Sequence, residues 1–132
     1  MMSNRVLIIA DDEEMCMELK EILVNEGYEV CVSLDGLSGT ELVEKEKFEL
    51  VILDLKLPEL NGYEVLKLVK RSLHSPKVII LSGRPLGKRV VHDQNNLQEE
   101  SILGLADAVL NKPVVIAKLI DEVHKNTRSN GG

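Results

Sequence analysis

Aromatic side chains are nearly missing from this chain of 132 residues, which has one Phe, two Tyr and no Trp. Its core must therefore be aliphatic, and the apolar residues, at 44% of the sequence, are numerous enough to build one. Cysteine is scarce as well, and Cys16 and Cys31 alone cannot form the disulfide framework of a small secreted domain. We expect Cys31 on a strand, Cys16 on a helix, and neither in a redox role.

Long apolar runs and an excess of positive charge are also missing. No stretch approaches the roughly 20 apolar residues of a membrane helix, and the N-terminus lacks the apolar stretch of a signal peptide. We therefore expect a cytoplasmic protein that does not associate with membranes. The 16 Lys and Arg against 22 Asp and Glu give a net charge of −6, which argues against nucleic-acid binding. The histidines lack metal-ligand spacing and are expected at the surface or in loops: His74, His92 and His124.

Short apolar runs at residues 6–10, 50–53 and 78–81 predict strands that are buried on both faces. Alternating patterns at residues 28–33 and 106–110 predict edge strands. Apolar residues at helical spacing lie between the strands, and residues 36–47 form a weaker helical pattern. The helical stripes are Met15, Leu19, Ile22 and Leu23; Val65, Leu66, Val69 and Leu73; and Ile116, Leu119, Ile120 and Val123.

Alternation of five strands with five helices predicts an α/β fold, a doubly wound (βα)5 parallel sheet with helices on both faces. If the two alternating segments are the edges, the strand order is 2-1-3-4-5, a flavodoxin-like three-layer sandwich. We expect one domain over residues 4–126 and a flexible tail at residues 127–132. In this topology ligands bind at the carboxyl ends of the strands, beside the switch between strands 1 and 3.

Polar residues follow the predicted strands at that edge: Asp11, Asp12, Asp54, Ser82 and Lys112. Clustered carboxylates repel one another, and a hard divalent cation, Mg²⁺ or Mn²⁺, relieves the repulsion. A carboxylate can also accept a phosphoryl group and form an acyl phosphate, whose oxygens a lysine and a hydroxyl can bind. The set therefore predicts a phosphoaspartate site in which Asp54 is the acceptor.

Each of these residues also has an ordinary structural explanation. The alternatives are a helix cap for Asp11 or Asp12, a loop carboxylate for Asp54, a turn at Ser82, and a solvated lysine at Lys112. The same topology places all of them together, which favours the functional interpretation.

Four stretches of the sequence resemble the receiver domain of two-component response regulators: residues 6–13, 50–62, 78–83 and 106–113. The most specific is the pattern D-x-x-x-P-x-x-x-G, which begins at Asp54. The resemblance implies that Asp54 accepts a phosphoryl group from a phosphohistidine on a sensor histidine kinase or a histidine phosphotransfer protein. It thus implies a phosphoacceptor signalling domain rather than an enzyme with its own substrate.

The resemblance also implies roles for the residues around Asp54. Asp12 and Asp54 would ligate Mg²⁺ through their side chains, the backbone carbonyl of Lys56 would be a third ligand, and Asp11 would act through water. Ser82 would bind the phosphoryl group. Lys112 would pair with it, and the peptide bond that follows this lysine is usually cis in the family.

Two features depart from the family pattern. Val109 occupies a position that usually holds Tyr or Phe, so it has no ring with which to report a change of state. The segment after strand 4 is unusually long, at about residues 83–96. It is either a tolerated loop or a change to the face of helix 4, strand 5 and helix 5. We expect that face to signal to an unknown downstream protein or to form a homodimer, with the surface change concentrated in residues 83–103.

Two further functions compete with this interpretation. One is a receiver-like interaction module that is never phosphorylated, against which the intact set of site residues argues. The other is a phosphatase of the haloacid-dehalogenase type, which needs a second Asp two residues after the first. Position 56 is Lys, which argues against the phosphatase.

Overall fold

The computed structural model describes residues 4–57, 61–83 and 101–127. The strands are β1 Arg5–Ile9, β2 Glu29–Ser33, β3 Leu50–Asp54, β4 Lys77–Ser82 and β5 Ala108–Asn111. The helices are α1 Glu13–Asn25, α2 Gly36–Lys45, α3 Gly62–Arg71, the helical residues 101–103 (α4), and α5 Ile116–Thr127. Within the described ranges, no helix has the length and apolar character needed to cross a bilayer.

The strands form one parallel sheet in the order β2-β1-β3-β4-β5, which confirms the predicted topology. The register aligns Ile8 of β1 with Ile52 of β3, and Ile52 with Ile79 of β4. These central side chains are fully buried. Burial on both faces explains why β1, β3 and β4 read as continuous apolar runs in the sequence.

Two aliphatic cores lie on opposite faces of the sheet. One joins the sheet to the apolar sides of α1 and α5. The other joins it to α2, α3 and the helical residues of α4, and it contains the single phenylalanine, Phe48. The result is the predicted three-layer arrangement, with the sheet between two layers of helices.

Three helices begin at a capping side chain. Asp12, Asp35 and Asn61 each accept a hydrogen bond from a backbone N–H in the first turn of α1, α2 and α3. Such caps satisfy N–H groups that have no partner within the helix, and a carboxylate also complements the helix dipole.

Removal of the α2 cap is expected to cost about 1 kcal/mol of unfolding free energy. The Asp35 carboxylate accepts from the Ser38 backbone N–H at 2.7 Å and from the Ser38 hydroxyl at 3.0 Å, and Asp35→Ala loses both bonds. Asp35→Asn keeps a capping oxygen and is the matched control. Urea denaturation followed by far-UV circular dichroism measures both variants, and equal losses would contradict the capping role.

Some predicted boundaries differ from those observed. Leu73 was expected on the apolar stripe of the third helix, but α3 ends at Arg71 and Leu73 is 85% exposed. Thr127, where the predicted tail begins, is instead the last residue of α5, and its side chain is buried. The remaining tail residues, His92 and nearly all of the predicted long segment lie outside the described residues, so those expectations stay predictions.

Candidate functional site

Asp54 is the last residue of β3 and is only 2% exposed. Among the described residues it is the only carboxylate that is buried. Its position in the centre of the sheet places β1 on one side and β4 on the other. A buried carboxylate is costly unless charges or hydrogen bonds compensate it, so its partners are informative.

Within the described part of the chain, two donors hold the Asp54 carboxylate, one at each oxygen. The Lys112 ammonium donates to Oδ2 with Nζ at 2.6 Å, and the backbone N–H of Lys56 donates to Oδ1 at 2.9 Å. The carboxylate can accept about four hydrogen bonds. Both oxygens therefore keep acceptor capacity for a cation or an incoming group.

The sheet brings Lys112 and Ser82 to the same edge as Asp54. Asn111 of β5 is in register with Ser82 of β4, and the Lys112 backbone N–H donates to the Ser82 carbonyl at 2.7 Å. The Ser82 side chain is buried at the end of β4. The peptide bond between Lys112 and Pro113 is cis, as the resemblance implies.

Asp11 and Asp12 are exposed and follow β1, the strand beside β3. Asp12 also caps α1, because its Oδ1 accepts the Met15 backbone N–H at 3.1 Å. The structural alternative for Asp12 is thus confirmed, but it leaves the second carboxylate oxygen for other contacts. Capping does not explain Asp11 or the buried Asp54.

Burial and the acids at this edge of the sheet raise the pKa of the Cys16 thiol. Burial is the largest cause of a pKa raised from the ordinary 9.0 to about 11, followed by the negative charges of Asp12, Asp54 and Asp11. The thiol points back to the sheet edge, since its Sγ lies 3.5 Å from the Ala10 carbonyl oxygen. With Glu13, which contributes as well, four carboxylates therefore act on this thiol.

Cys16 is accordingly expected to resist alkylation in the folded protein. Since its pKa rises from 9.0 to about 11, its thiolate fraction near pH 8 should be about a hundredfold below that of the unfolded chain. In a Cys31→Ser background, mass spectrometry would follow iodoacetamide labelling with and without urea. Equal rates in the two conditions would contradict the burial of this thiol. Because the thiol then ionises more readily in the unfolded chain than in the folded one, the free energy of unfolding should decrease as the pH rises from 9 towards 11.

The metal prediction is neither confirmed nor contradicted. Among the residues that the structure describes, no three Asp, Glu, His or Cys side chains are grouped closely enough to hold a metal ion by themselves. The donor set nonetheless suits Mg²⁺, which binds through one or two carboxylates and keeps several waters. Asp54 has acceptor capacity left, and Asp11 and Asp12 lie at the same edge of the sheet.

One contact of the site was missed in the sequence. The backbone of Lys56 was expected to act through its carbonyl, whereas its backbone N–H binds Asp54 Oδ1. This is the bond of an aspartate to the N–H two residues further on, a pattern that an Asp at the start of a loop favours. It orients the carboxylate before any ligand binds.

The glycine that closes the D-x-x-x-P-x-x-x-G pattern allows the loop after Asp54 to pack tightly. A Cβ atom on Gly62 would lie 2.4 Å from the Leu55 carbonyl oxygen and 2.6 Å from the Leu55 Cα. Only glycine permits this approach of α3 to the residue after Asp54. The middle of the pattern, residues 58–60, lies outside the described residues.

The fold and the site together define a class of protein: a doubly wound α/β domain with a buried strand-end aspartate, a lysine paired to it and two acids beside it. A family model for the response regulator receiver domain matches residues 6–124. The chain belongs to this family. Receiver domains of response regulators interact with histidine kinases or phosphotransfer proteins.

Two curated relatives give the extent of the similarity. The chain is 32% identical over 125 residues to sporulation initiation phosphotransferase F of Bacillus subtilis, with 95% of this chain and 94% of that protein covered. It is 30% identical over 131 residues to the cell cycle response regulator CtrA of Brucella ovis. That match covers 97% of this chain but 52% of CtrA, so the chain spans about half the length of that relative.

Solved structures agree on the fold. The CheY-like receiver domain protein from Methanospirillum hungatei superposes with a TM-score of 0.80 at 30% identity, over 94% of this chain and 93% of that chain. The response regulator TrrA from Thermotoga maritima, in complex with Mg(2+)-BeF, has a TM-score of 0.75 at 26% identity, over 92% of this chain and 97% of that chain.

Proposed function

We propose that this chain is a phosphoacceptor receiver domain that takes a phosphoryl group from a partner's phosphohistidine onto Asp54. The observation that carries the proposal is the buried Asp54 carboxylate, 2.6 Å from Lys112 Nζ at the carboxyl edge of the sheet. A merely structural ion pair would not need to lie at the ligand-binding edge of a doubly wound fold. The site residues of the proposal are Asp11, Asp12, Asp54, Lys56, Ser82 and Lys112.

In the proposed reaction, one Asp54 oxygen attacks the phosphorus while the bond between phosphorus and the donor's imidazole nitrogen breaks. The bonding electron pair returns to that nitrogen, and Asp54 becomes an acyl phosphate. The Lys112 ammonium can then pair with a phosphoryl oxygen instead of the carboxylate, and the Ser82 hydroxyl can bind a second phosphoryl oxygen.

The acidic side chains at this edge repel an incoming phosphoryl group. Mg²⁺ held by Asp12, Asp54 and the Lys56 carbonyl, with Asp11 acting through water, would supply the positive charge that offsets this repulsion. The chain's own contribution is a carboxylate whose orientation the Lys56 N–H and Lys112 already fix.

Intact-mass spectrometry after incubation with acetyl phosphate and Mg²⁺ tests the proposal. We expect one phosphoryl adduct that hydroxylamine removes, because an acyl phosphate is labile to it and a serine ester is not. EDTA should suppress the adduct. No adduct with any donor or divalent ion would instead favour an interaction module that is never phosphorylated, and turnover of phosphate esters would indicate a phosphatase.

We further propose that phosphorylation is read out through the face of α4, β5 and α5, where a downstream partner or a second copy would bind. Val109 of β5 and Ile116 of α5 are exposed apolar side chains of the described part of these elements. A charge on Asp54 would be better held in one arrangement of Ser82 and its loop than in another. Hydrogen exchange that changed around α1 alone, and not within residues 83–103, would refute this readout. The expected cytoplasmic location stays a prediction.

A further inference from the structure

A chain of four polar contacts ties the last turn of α5 to the junction of α1 and β2. Glu26 Oε1 lies 3.2 Å from His124 Nε2, and His124 Nδ1 lies 2.7 Å from the Tyr28 hydroxyl oxygen. The Tyr28 hydroxyl lies 3.0 Å from the Thr127 hydroxyl, which donates to the Val123 carbonyl at 2.7 Å. Three of the four contacts join residues 96 to 99 positions apart in the sequence.

In this series of contacts, the Tyr28 and Thr127 side chains are buried, whereas the His124 side chain reaches solvent. Tyr28 is 8% exposed and Thr127 is 6% exposed, whereas the side chain of His124 is 42% exposed. Protons can therefore reach the imidazole from solvent. A change in its protonation changes the hydrogen bonding of the two buried hydroxyl groups, those of Tyr28 and Thr127.

The chemistry of the end groups fixes two of the donors. The Val123 carbonyl oxygen can only accept, so the Thr127 hydroxyl donates its hydrogen to that oxygen. The Glu26 carboxylate also accepts, so its contact is a hydrogen bond only when His124 carries a hydrogen on Nε2. The Tyr28 hydroxyl makes the other two contacts, with His124 Nδ1 and with Thr127, and each of them also needs one hydrogen.

With a neutral imidazole, only three hydrogens, one each on the ring, Tyr28 and Thr127, are available for the four contacts. With that ring hydrogen on Nε2, Nδ1 accepts the Tyr28 hydrogen and the 3.0 Å contact of Tyr28 with Thr127 contains none; with it on Nδ1, the contact with Glu26 contains none. A protonated imidazole donates from Nδ1 to Tyr28, which frees the Tyr28 hydrogen for Thr127. Only the doubly protonated ring therefore makes all four contacts hydrogen bonds.

We propose that His124 is a proton-dependent clasp, which in its doubly protonated form ties the last turn of α5 to the start of β2. The charged group that faces the ring is Glu26, the residue that caps the end of α1, and the titratable group from the start of β2 is Tyr28. The charged groups nearby on α5 itself are paired with one another: Asp121, Glu122 and Lys125.

The clasp makes the order of the α5 end depend on pH within the range in which histidines change charge, between about pH 5 and 8. As the pH falls, the ring gains its second hydrogen, the fourth hydrogen bond forms, and opening of the last turn becomes rarer. A neutral hydrogen bond of ordinary strength corresponds to about a fivefold change in this opening.

Amide hydrogen exchange by NMR tests the clasp in the full chain. Protection factors of residues 123–127, corrected for the intrinsic pH dependence of exchange, should be about fivefold higher near pH 6 than near pH 8. Tyr28→Phe keeps the buried ring and removes the hydroxyl, and His124→Gln removes the titrating group at a half-exposed position. Both variants should abolish the pH dependence.

His74→Gln is the matched control, because His74 is exposed after α3 and makes none of these contacts. It should leave the pH dependence of residues 123–127 unchanged. The clasp is overturned if wild-type protection is independent of pH, if it persists in Tyr28→Phe or His124→Gln, or if His74→Gln removes it. Exchange within β1 and β3 reports whether each variant keeps its fold.

Discussion

Asp54→Asn should abolish the phosphoryl adduct completely. The amide oxygen of asparagine cannot form an acyl phosphate, and the substitution also removes the charge that Lys112 compensates. The fold should survive, because the shape of the side chain is kept and the Lys112 side chain is partly exposed to solvent. The measurement is the intact mass after acetyl phosphate and Mg²⁺, with circular dichroism as a check of folding.

Asp35→Asn is the matched control for this loss. It makes the same chemical change at a carboxylate that caps α2, and it should keep the adduct at the wild-type level. A residual adduct on Asp54→Asn would show that another side chain accepts the phosphoryl group. Loss of the adduct in both variants would show that the loss is not specific to the Asp54 side chain, and it would contradict the assignment of Asp54 as the acceptor.

Gly62→Ala should destabilise the protein by about 3 kcal/mol, the upper range for forcing atoms into a packed site. The added Cβ would meet the Leu55 backbone, which cannot move aside as a flexible side chain can. Because Leu55 lies between Asp54 and Lys56, we also expect slower phosphorylation of the folded fraction. Urea denaturation and the adduct assay measure the two effects.

Gly83→Ala is the control for this packing effect. A Cβ at Gly83 meets no atom of the described residues within 4 Å, so the unfolding free energy of the variant should stay within about 0.5 kcal/mol of the wild type. If Gly62→Ala were equally mild, the close approach of α3 to Leu55 would not be required for the fold.

The central strands could be predicted from the sequence because they are buried on both faces. Continuous aliphatic runs at β1, β3 and β4 and alternation at β2 and β5 were enough to give the strand order, which the structure confirms. Helix ends were less predictable, since periodicity shows which face is buried but not where a helix stops. Leu73 and Thr127 were misplaced for this reason.

The site was predictable to the extent that it follows from topology. Parallel strands carry Asp54 and Lys112 to one edge, and the structure brings them into contact. Contacts between distant parts of the chain leave no local signal. His124 was expected to be an ordinary surface residue, yet it binds Tyr28 across 96 positions of sequence.

The scarcity of aromatic residues becomes useful once their places in the fold are known. Tyr28 precedes β2 at the amino end of the strands, whereas Tyr63 lies in the first turn of α3, after the carboxyl end of β3. These are the only tyrosines in the chain. Biosynthetic incorporation of fluorotyrosine would therefore give two fluorine resonances, one from each edge of the sheet. Titration with acid and addition of a phosphodonor could then be followed separately in a single sample.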